Sequence, residues 1–227
     1  MNDALSHRLN SLFARVGKAV SNPHRIALLQ HLGQGERNVE TLARLTGLTV
    51  ANASQHLQLL RQHGLATAHK RGQNVYYRLT DETAILKLLD QLASLAEHQI
   101  SDVSRLIGQN RDTQAEAIDA QELLERMRRG KAVVIDVRTH EEFEAGHLPG
   151  ALHVPIEEIE ERLKELPSES EVIAYCRGRY CMLANEAVQQ LNRHGHRATR
   201  LAEGLSGWKL SRLPLHTSGQ TPNTVTL

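Results

Sequence analysis

Apolar residues in the first hundred positions recur mainly at three- and four-residue steps, which is the spacing of helices with one buried face. Leu5, Leu9, Leu12, Phe13, Val16 and Val20 make such a stripe over residues 5–20. Pro23 suits the first turn of a second helix, capped by Ser21 or Asn22 and running to about Leu32, where Gly33-Gln34-Gly35 breaks it. Val39, Leu42 and Leu45 mark a short helix that Gly47 ends. Thr49 can cap the next helix, which runs to about His63 with Leu57 and Leu60 inward and Gly64 just past its end. The period then changes to two. Leu65 to Ala68 and Val75 to Leu79 predict two strands around a polar tip, His69 to Asn74. Thr80 and Asp81 cap a long helix over 82–107 with Ile85, Leu88, Leu89, Leu92, Leu95, Ala96 and Ile100 on one stripe. Gln109 to Gln114 is polar and reads as a linker.

The second half alternates. A helix over 120–129 precedes a continuous apolar run, 132–137, of the length and character of a buried parallel strand. A helix over 156–166, a strand over 172–175 that ends on Cys176, a helix over 184–194 and a short strand over 198–201 follow. That order predicts a parallel sheet with helices on both faces. The fold class expected is therefore two domains, the first mainly α and the second α/β, with boundaries at 1–108, a linker 109–116, and 117–220.

Composition adds a little. The chain has 227 residues, 40% hydrophobic and 23% charged, as in soluble globular proteins of one or two modest domains. No run approaches 18 uncharged apolar residues, so no membrane span is expected. The first residues mix charge with apolar positions and give no secretory signal, so a cytoplasmic location is expected. The net charge of +1 hides an asymmetry: residues 1–112 carry 13 Lys/Arg against 9 Asp/Glu, the remainder 14 against 17. A basic half joined to an acidic half hints that the first meets nucleic acid. The two cysteines, Cys176 and Cys181, sit close together. In a reducing compartment such a pair suggests reactivity rather than a structural staple.

The helical half carries Val39-Glu40-Thr41-Leu42-Ala43, then Gly47 through Leu60 with Ser54-Gln55-His56-Leu57 at its centre, then Gly64-Leu65-Ala66 and Arg71-Gly72-Gln73-Asn74-Val75-Tyr76-Tyr77-Arg78-Leu79. These residues, over about 7–105, resemble the winged helix-turn-helix of the ArsR-type bacterial repressors. A recognition helix needs short polar side chains that let the backbone approach base edges, and Thr49, Asn52, Ser54, Gln55 and His56 supply them. Lys70, Arg71 and Gln73 at the hairpin tip suit phosphates or a minor groove. The bland alternative for any one of them is a solvated polar face. The resemblance implies a homodimer, paired through its first and last helices, on a palindromic operator in double-stranded DNA. It also raises metal sensing. One ligand set needs cysteines in the stretch 35–45, which has none, and another needs Asp and His at two- and ten-residue spacings, where Asp90 is followed by Leu92. No metal site and no cofactor are expected.

The second half carries Val134-Ile135-Asp136-Val137-Arg138, Glu141 through Ala151 with Gly146-His147-Leu148-Pro149-Gly150-Ala151 at its end, His153-Val154-Pro155, and Leu201-Ala202-Glu203-Gly204-Leu205-Ser206-Gly207-Trp208. These resemble the two signatures of the rhodanese domain, over about 117–216. Between them, Tyr175-Cys176-Arg177-Gly178-Arg179-Tyr180-Cys181-Met182 places a cysteine at a strand end before a short loop and a helix. Backbone N–H groups opening onto a helix N-terminus favour a thiolate or persulfide anion at Cys176. Arg177, Gly178, Arg179 and Tyr180 are candidates for binding a small anionic sulfur donor, thiosulfate or a persulfide. Asp136, Arg138 and His147 read as structural. The loop departs from the simple pattern by holding Cys181, whose sulfur can attack a persulfide on Cys176 and close a disulfide. Its bland reading is a small buried residue at a helix start. Glu203 stands where the second signature usually has glycine.

Three functions are therefore open. The first is a repressor that senses reactive sulfur species or thiol redox state through Cys176. The second is a sulfurtransferase with autoregulatory DNA binding. The third, an arsenate reductase, ranks last because related phosphatases carry an arginine six residues after the cysteine, and Met182 stands there.

Overall fold

The structure, a computed structural model, describes residues 2–111, 116–130, 132–166 and 170–217. The chain divides into two compact units at Leu92/Ala93.

In the first unit local caps hold the helices in place, Asn22, Thr49 and Asp81 as expected. After α1 (Asn2–Val20), the Asn22 side chain accepts from the Arg25 N–H at 3.2 Å and starts α2 (Pro23–Leu32). A two-residue strand β1 (Arg37–Asn38) leads into α3 (Val39–Thr46), where Asn38 accepts from Thr41 N–H at 2.8 Å. Gly47, in the left-handed region at φ +67, turns the chain into α4 (Val50–Gln62), whose cap is Thr49. The hairpin β2 (Ala66–Arg71) and β3 (Asn74–Leu79) follows, then α5 (Glu82–Gln99), opened by Asp81. The sheet order is β1-β3-β2, antiparallel throughout. Leu28, Leu29, Leu42, Leu57 and Leu60 are fully buried and knit α2, α3 and α4 together.

Four expectations change here. The six-residue hairpin tip narrows to Gly72-Gln73, because the ladder runs out to Arg71 opposite Asn74 and Gly72 takes the positive φ (+60) a two-residue turn demands. Lys70 and Arg71 are thus strand residues. The long helix over 82–107 is two: α5 ends at Gln99 and α6 (Ser101–Arg111) begins after Ile100. The Ser104 hydroxyl donates to the Glu97 carbonyl, and the Val103 N–H turns back to the Ile100 carbonyl at 3.0 Å, which interrupts the regular ladder. Finally, α6 covers the start of the expected linker, while 112–115 lie outside the described residues. The stripe on α1 is also turned outward: Leu5, Leu9, Leu12, Phe13 and Val16 are all exposed, and only Val20 is buried.

The second unit contains a five-stranded parallel sheet, ordered β4 (Ala117–Ile118), β8 (Ala198–Leu201), β7 (Glu171–Tyr175), β5 (Ala132–Asp136), β6 (Leu152–His153). After β4 the helices of this unit are α7 (Ala120–Arg128), α8 (His140–Ala145), α9 (Ile159–Arg162), α10 (Leu183–Arg193) and α11 (Gly204–Leu210). The helix expected over 156–166 is reduced to α9 between two 3-10 turns. Glu157, Glu158, Glu160 and Glu161 put like charges at helical neighbour positions, which disfavours a regular helix. The strand period of two sorts the core into two layers. From β7, Ile173 and Tyr175 pack with Leu123, Leu205 and Trp208 of α7 and α11. Val172 and Ala174 face the other way, against Ile159, Ala187, Val188 and Leu191 of α9 and α10, and the next residue in that register is Cys176.

Asp136 and Arg138 are fully buried and paired, Arg138 Nε and Nη2 donating to the two carboxylate oxygens at 2.9 and 2.6 Å. Arg138 also donates to the Gly146 carbonyl, and the Tyr175 hydroxyl donates to Asp136. These charges tie the ends of β5, α8 and β7 together. Among the described residues no helix is long and apolar enough to cross a membrane.

Candidate functional site

Strand β7 ends in the fully parallel centre of the sheet, and the loop 176–182 leads from it to α10. Two elements fix the loop from below and behind. The first turn of α11 donates upward: Leu205 N–H to the Cys176 carbonyl at 2.9 Å, Ser206 N–H to the Arg177 carbonyl at 3.0 Å, and the Ser206 hydroxyl to the same carbonyl at 2.8 Å. Only glycine fits at the head of that helix. Gly204 has φ +55, and a Cβ there would lie 2.6 Å from the Cys176 carbonyl oxygen and 2.7 Å from Gly178 N. From behind, α8 presents Glu142, whose carboxylate receives Arg177 Nε at 2.6 Å and Nη2 at 2.8 Å. Glu142 is 1% exposed. Its Oε2 also accepts the Thr139 N–H at 3.2 Å, as the third residue of a capping box.

The two cysteines meet inside this frame. Cys176 is 3% exposed, and its thiol donates to the Cys181 carbonyl at 3.4 Å. A turn closed by the Cys181 N–H on the Gly178 carbonyl (3.0 Å) brings Cys181 back over it. Cys181 is half-buried, and Arg177 Nη1 lies 3.9 Å from its sulfur. The two thiols differ in character. The neighbouring Cys176 side chain lowers the Cys181 thiol to about 6 against the pull of burial, and the Leu183 and Arg177 N–H groups and the Arg177 charge reinforce it. The Cys181 side chain in turn, with burial, holds Cys176 well above the ordinary thiol range. Burial pushes Glu142 up, but Arg177, with Arg138 and Thr139 behind it, outweighs that and keeps the carboxylate ionised below its usual range.

The other loop residues divide. Arg177 is turned inward to Glu142 and Cys181. Gly178 packs its Cα side against Ser206. Arg179 and Tyr180 are exposed and share one acceptor within this unit: the Tyr180 hydroxyl donates to Glu97 Oε2 at 2.9 Å, and Arg179 Nη2 lies 3.4 Å from the same oxygen. Glu142, Gly204, Ser206 and Arg200 carry no sequence expectation as site residues. Arg200, on β8, is lowered by burial and feels the charges of Cys176, Glu203 and Arg179. Among the described residues, no group of three or more His, Cys, Asp or Glu side chains could hold a metal ion.

In the first unit, α4 presents Asn52 and Gln55 outward at helical spacing, with Thr49 at its head. The Thr49 hydroxyl accepts the Asn52 N–H at 3.2 Å. Ser54 and His56 are half-buried. Ser54 takes a bond from Gln58 at 3.4 Å, and the His56 ring stands 5.7 Å from that of His24. Burial, then Arg25 and His24, lower the His56 pKa, so its ring is neutral at pH 7. Lys70, Arg71 and Gln73 are exposed along the wing, and the Arg71 guanidinium lies over the Tyr76 ring at 5.1 Å.

A Helix-turn-helix domain profile matches residues 20–68, and a Rhodanese-like domain profile matches 119–211. An HTH-type transcriptional regulator of Mycobacterium tuberculosis is 40% identical over 202 residues, 89% of each chain. The chain belongs to the ArsR-type transcriptional regulators. Its second half is a rhodanese-like domain. This ArsR-type regulator is also similar, over 91 residues, to a cadmium resistance transcriptional regulatory protein homolog of Staphylococcus aureus, at 35% identity over 40% of this chain and 74% of that one. Among solved structures it is similar to the homodimeric winged helix-turn-helix DNA-binding domain of a Mycobacterium bovis protein (36% identity, 42% of this chain and 88% of that one, TM-score 0.39).

Proposed function

We propose that this regulator is a homodimeric repressor that reads a palindromic operator through α4 and the β2–β3 wing, and that reactive sulfur or thiol oxidation at the Cys176/Cys181 loop alters its grip on DNA. The single observation that carries this reading is the pair of thiols brought together in one buried frame, Cys176 donating to the Cys181 carbonyl at 3.4 Å and Arg177 Nη1 lying 3.9 Å from the Cys181 sulfur. An ArsR-type chain whose first 175 residues hold no cysteine has nowhere else to receive a thiol signal. The exposed polar face of Thr49, Asn52 and Gln55 and the basic wing of Lys70, Arg71 and Gln73 support the DNA contact, with Ser54 and His56 set beside them. The exposed apolar face of α1 supports the dimer.

The test measures operator affinity before and after a small persulfide donor, in wild type and in Cys176→Ser. The wild type should change affinity by about tenfold or more, within the usual range of coupling between two sites. The variant should not respond. A wild-type affinity untouched by the donor overturns the sensor. A second reading, thiosulfate sulfurtransferase activity, draws on the backbone N–H groups of Gly178 and Ala184 that face the Cys176 sulfur. Thiosulfate-to-cyanide transfer that depends on Cys176 would support it.

A further inference from the structure

We infer that the surroundings of Cys176 select a sulfur donor that reacts uncharged, an alkyl hydropersulfide R–S–SH, and reject a dianion such as thiosulfate, because the arginines about the cysteine are matched by carboxylates of the same unit. This rests on the sulfur-responsive reading above and names the donor within it. Arg177 is held at Nε and Nη2 by Glu142, at 2.6 and 2.8 Å, and that carboxylate is buried, so the guanidinium is not turned toward a ligand. Arg179 Nη2 lies 3.4 Å from Glu97 Oε2, and the Tyr180 hydroxyl donates to the same oxygen at 2.9 Å. The Glu97 side chain is only 11% exposed, which makes it a fixed partner rather than a passing one. Arg200 stands opposite Ala174 in the ladder between β7 and β8, and so shares the sheet face onto which Ala174 and Cys176 look. Its charge is divided between Cys176 and Glu203. Glu203 directly precedes Gly204, the glycine seated against the Cys176 carbonyl, and the Glu203 carbonyl lies 3.7 Å from where a Cβ on Gly178 would stand. Three positive charges therefore meet three negative ones about one sulfur. The Ser206 hydroxyl is turned away as well, to the Arg177 carbonyl at 2.8 Å.

A dianion is penalised twice here. Its two charges meet cations that are already neutralised, and the carboxylates repel it. Cys176 is 3% exposed, so a donor sheds water to reach it, and that loss is far greater for an ion than for a neutral molecule. With the hydropersulfide the step balances with no charge imported. Cys176 gives up its proton, and the Gly178 and Ala184 N–H groups that face its sulfur, with Arg200, favour the thiolate. The thiolate attacks the outer sulfur of R–S–SH. The bond from Cys176 Sγ to that sulfur forms, the donor's S–S bond breaks, and the electron pair leaves on R–S⁻, which takes up the proton that Cys176 released. The products are Cys176–S–SH and R–SH: the donor's inner sulfur is reduced to a thiol as Cys176 Sγ is oxidised. With thiosulfate the same attack also yields a persulfide on Cys176, but it expels sulfite, whose two charges find only arginines that are already matched.

The test exposes the full chain at pH 7 to benzyl hydropersulfide and, separately, to sodium thiosulfate. The persulfide on Cys176 is followed by alkylation and tryptic peptide mass analysis, since cleavage after Arg177 and Arg179 puts the two cysteines on separate peptides. The hydropersulfide should load Cys176 much faster than thiosulfate does. Glu97→Gln and Glu203→Gln each remove a matching charge. Each should raise the thiosulfate rate by about tenfold and leave the hydropersulfide rate within about twofold. Glu203 is exposed, so its variant carries the test by itself should Glu97→Gln fail to show native circular dichroism. Wild type loaded as fast by thiosulfate as by the hydropersulfide overturns the inference, and so does a thiosulfate rate that neither variant moves. Cys176 loaded by the hydropersulfide with operator affinity indifferent to it leaves the donor preference standing and removes the sensor. Cys176 loaded by neither donor overturns both.

Discussion

Both oxygens of Glu142 are engaged, one turned to its own helix start and both to Arg177. Breaking a buried pair by removing one partner is far worse than never having it. Glu142→Ala should cost about 2–4 kcal/mol, seen as a lower midpoint in chemical denaturation; a loss within about 0.5 kcal/mol would mean the pair is replaceable by water. Gly204 sets a second limit at this scale. Gly204→Ala meets both a positive φ and the Cys176 carbonyl at 2.6 Å, so it should destabilise by more than about 1 kcal/mol and expose Cys176 to alkylation. A variant as stable as wild type, with Cys176 still unreactive, would contradict the tight seat. The sequence carries part of this. Thr139 and Glu142 have the spacing of a capping box, and Cys176 at a strand end is plain. The partner of Glu142 lies 35 residues downstream. No local spacing marks a contact of that kind, and nothing in the order of the loop says that Arg177 faces inward while Arg179 faces out.

Helices with strong caps were legible because a cap is a local device. Asn22, Thr49 and Asp81 each take the N–H three residues on. Thr49→Ala should therefore cost about 1 kcal/mol and lower the melting temperature, whatever it does to DNA; an unchanged melt would mean that α4 does not lean on its cap. Elements of two residues, β1, β4 and β6, are too short to show a period, and their pairing is decided by partners far away in the chain. The division between α5 and α6 was hidden for the opposite reason: the apolar stripe runs across Ile100 unbroken, although the Val103 N–H turns back to the Ile100 carbonyl there. On the wing, the exposed end of β2 gives a sharper expectation. Arg71→Ala should weaken operator binding across sequences and reduce the salt slope by about one. An identical slope would take Arg71 off the phosphate backbone.

For the molecule as a whole, α1 is the conspicuous debt: Leu5 and Phe13 are 57% and 66% exposed on a helix that has little of its own to cover. A second copy is the occupant proposed above. Leu12→Glu with Phe13→Glu should shift sedimentation from dimer to monomer and abolish cooperative operator binding; a dimer that persists would move the interface elsewhere. The sulfur chemistry has a different kind of boundary. Because the cation beside Cys181 is held by a residue of α8 and the floor of the loop by the first turn of α11, the seven residues from Cys176 to Met182 do not make a transferable part. Pasted into a foreign scaffold they would bring two ordinary thiols. Anyone wishing to borrow the device for an engineered biosensor would have to lift the whole sheet domain, from β4 through α11.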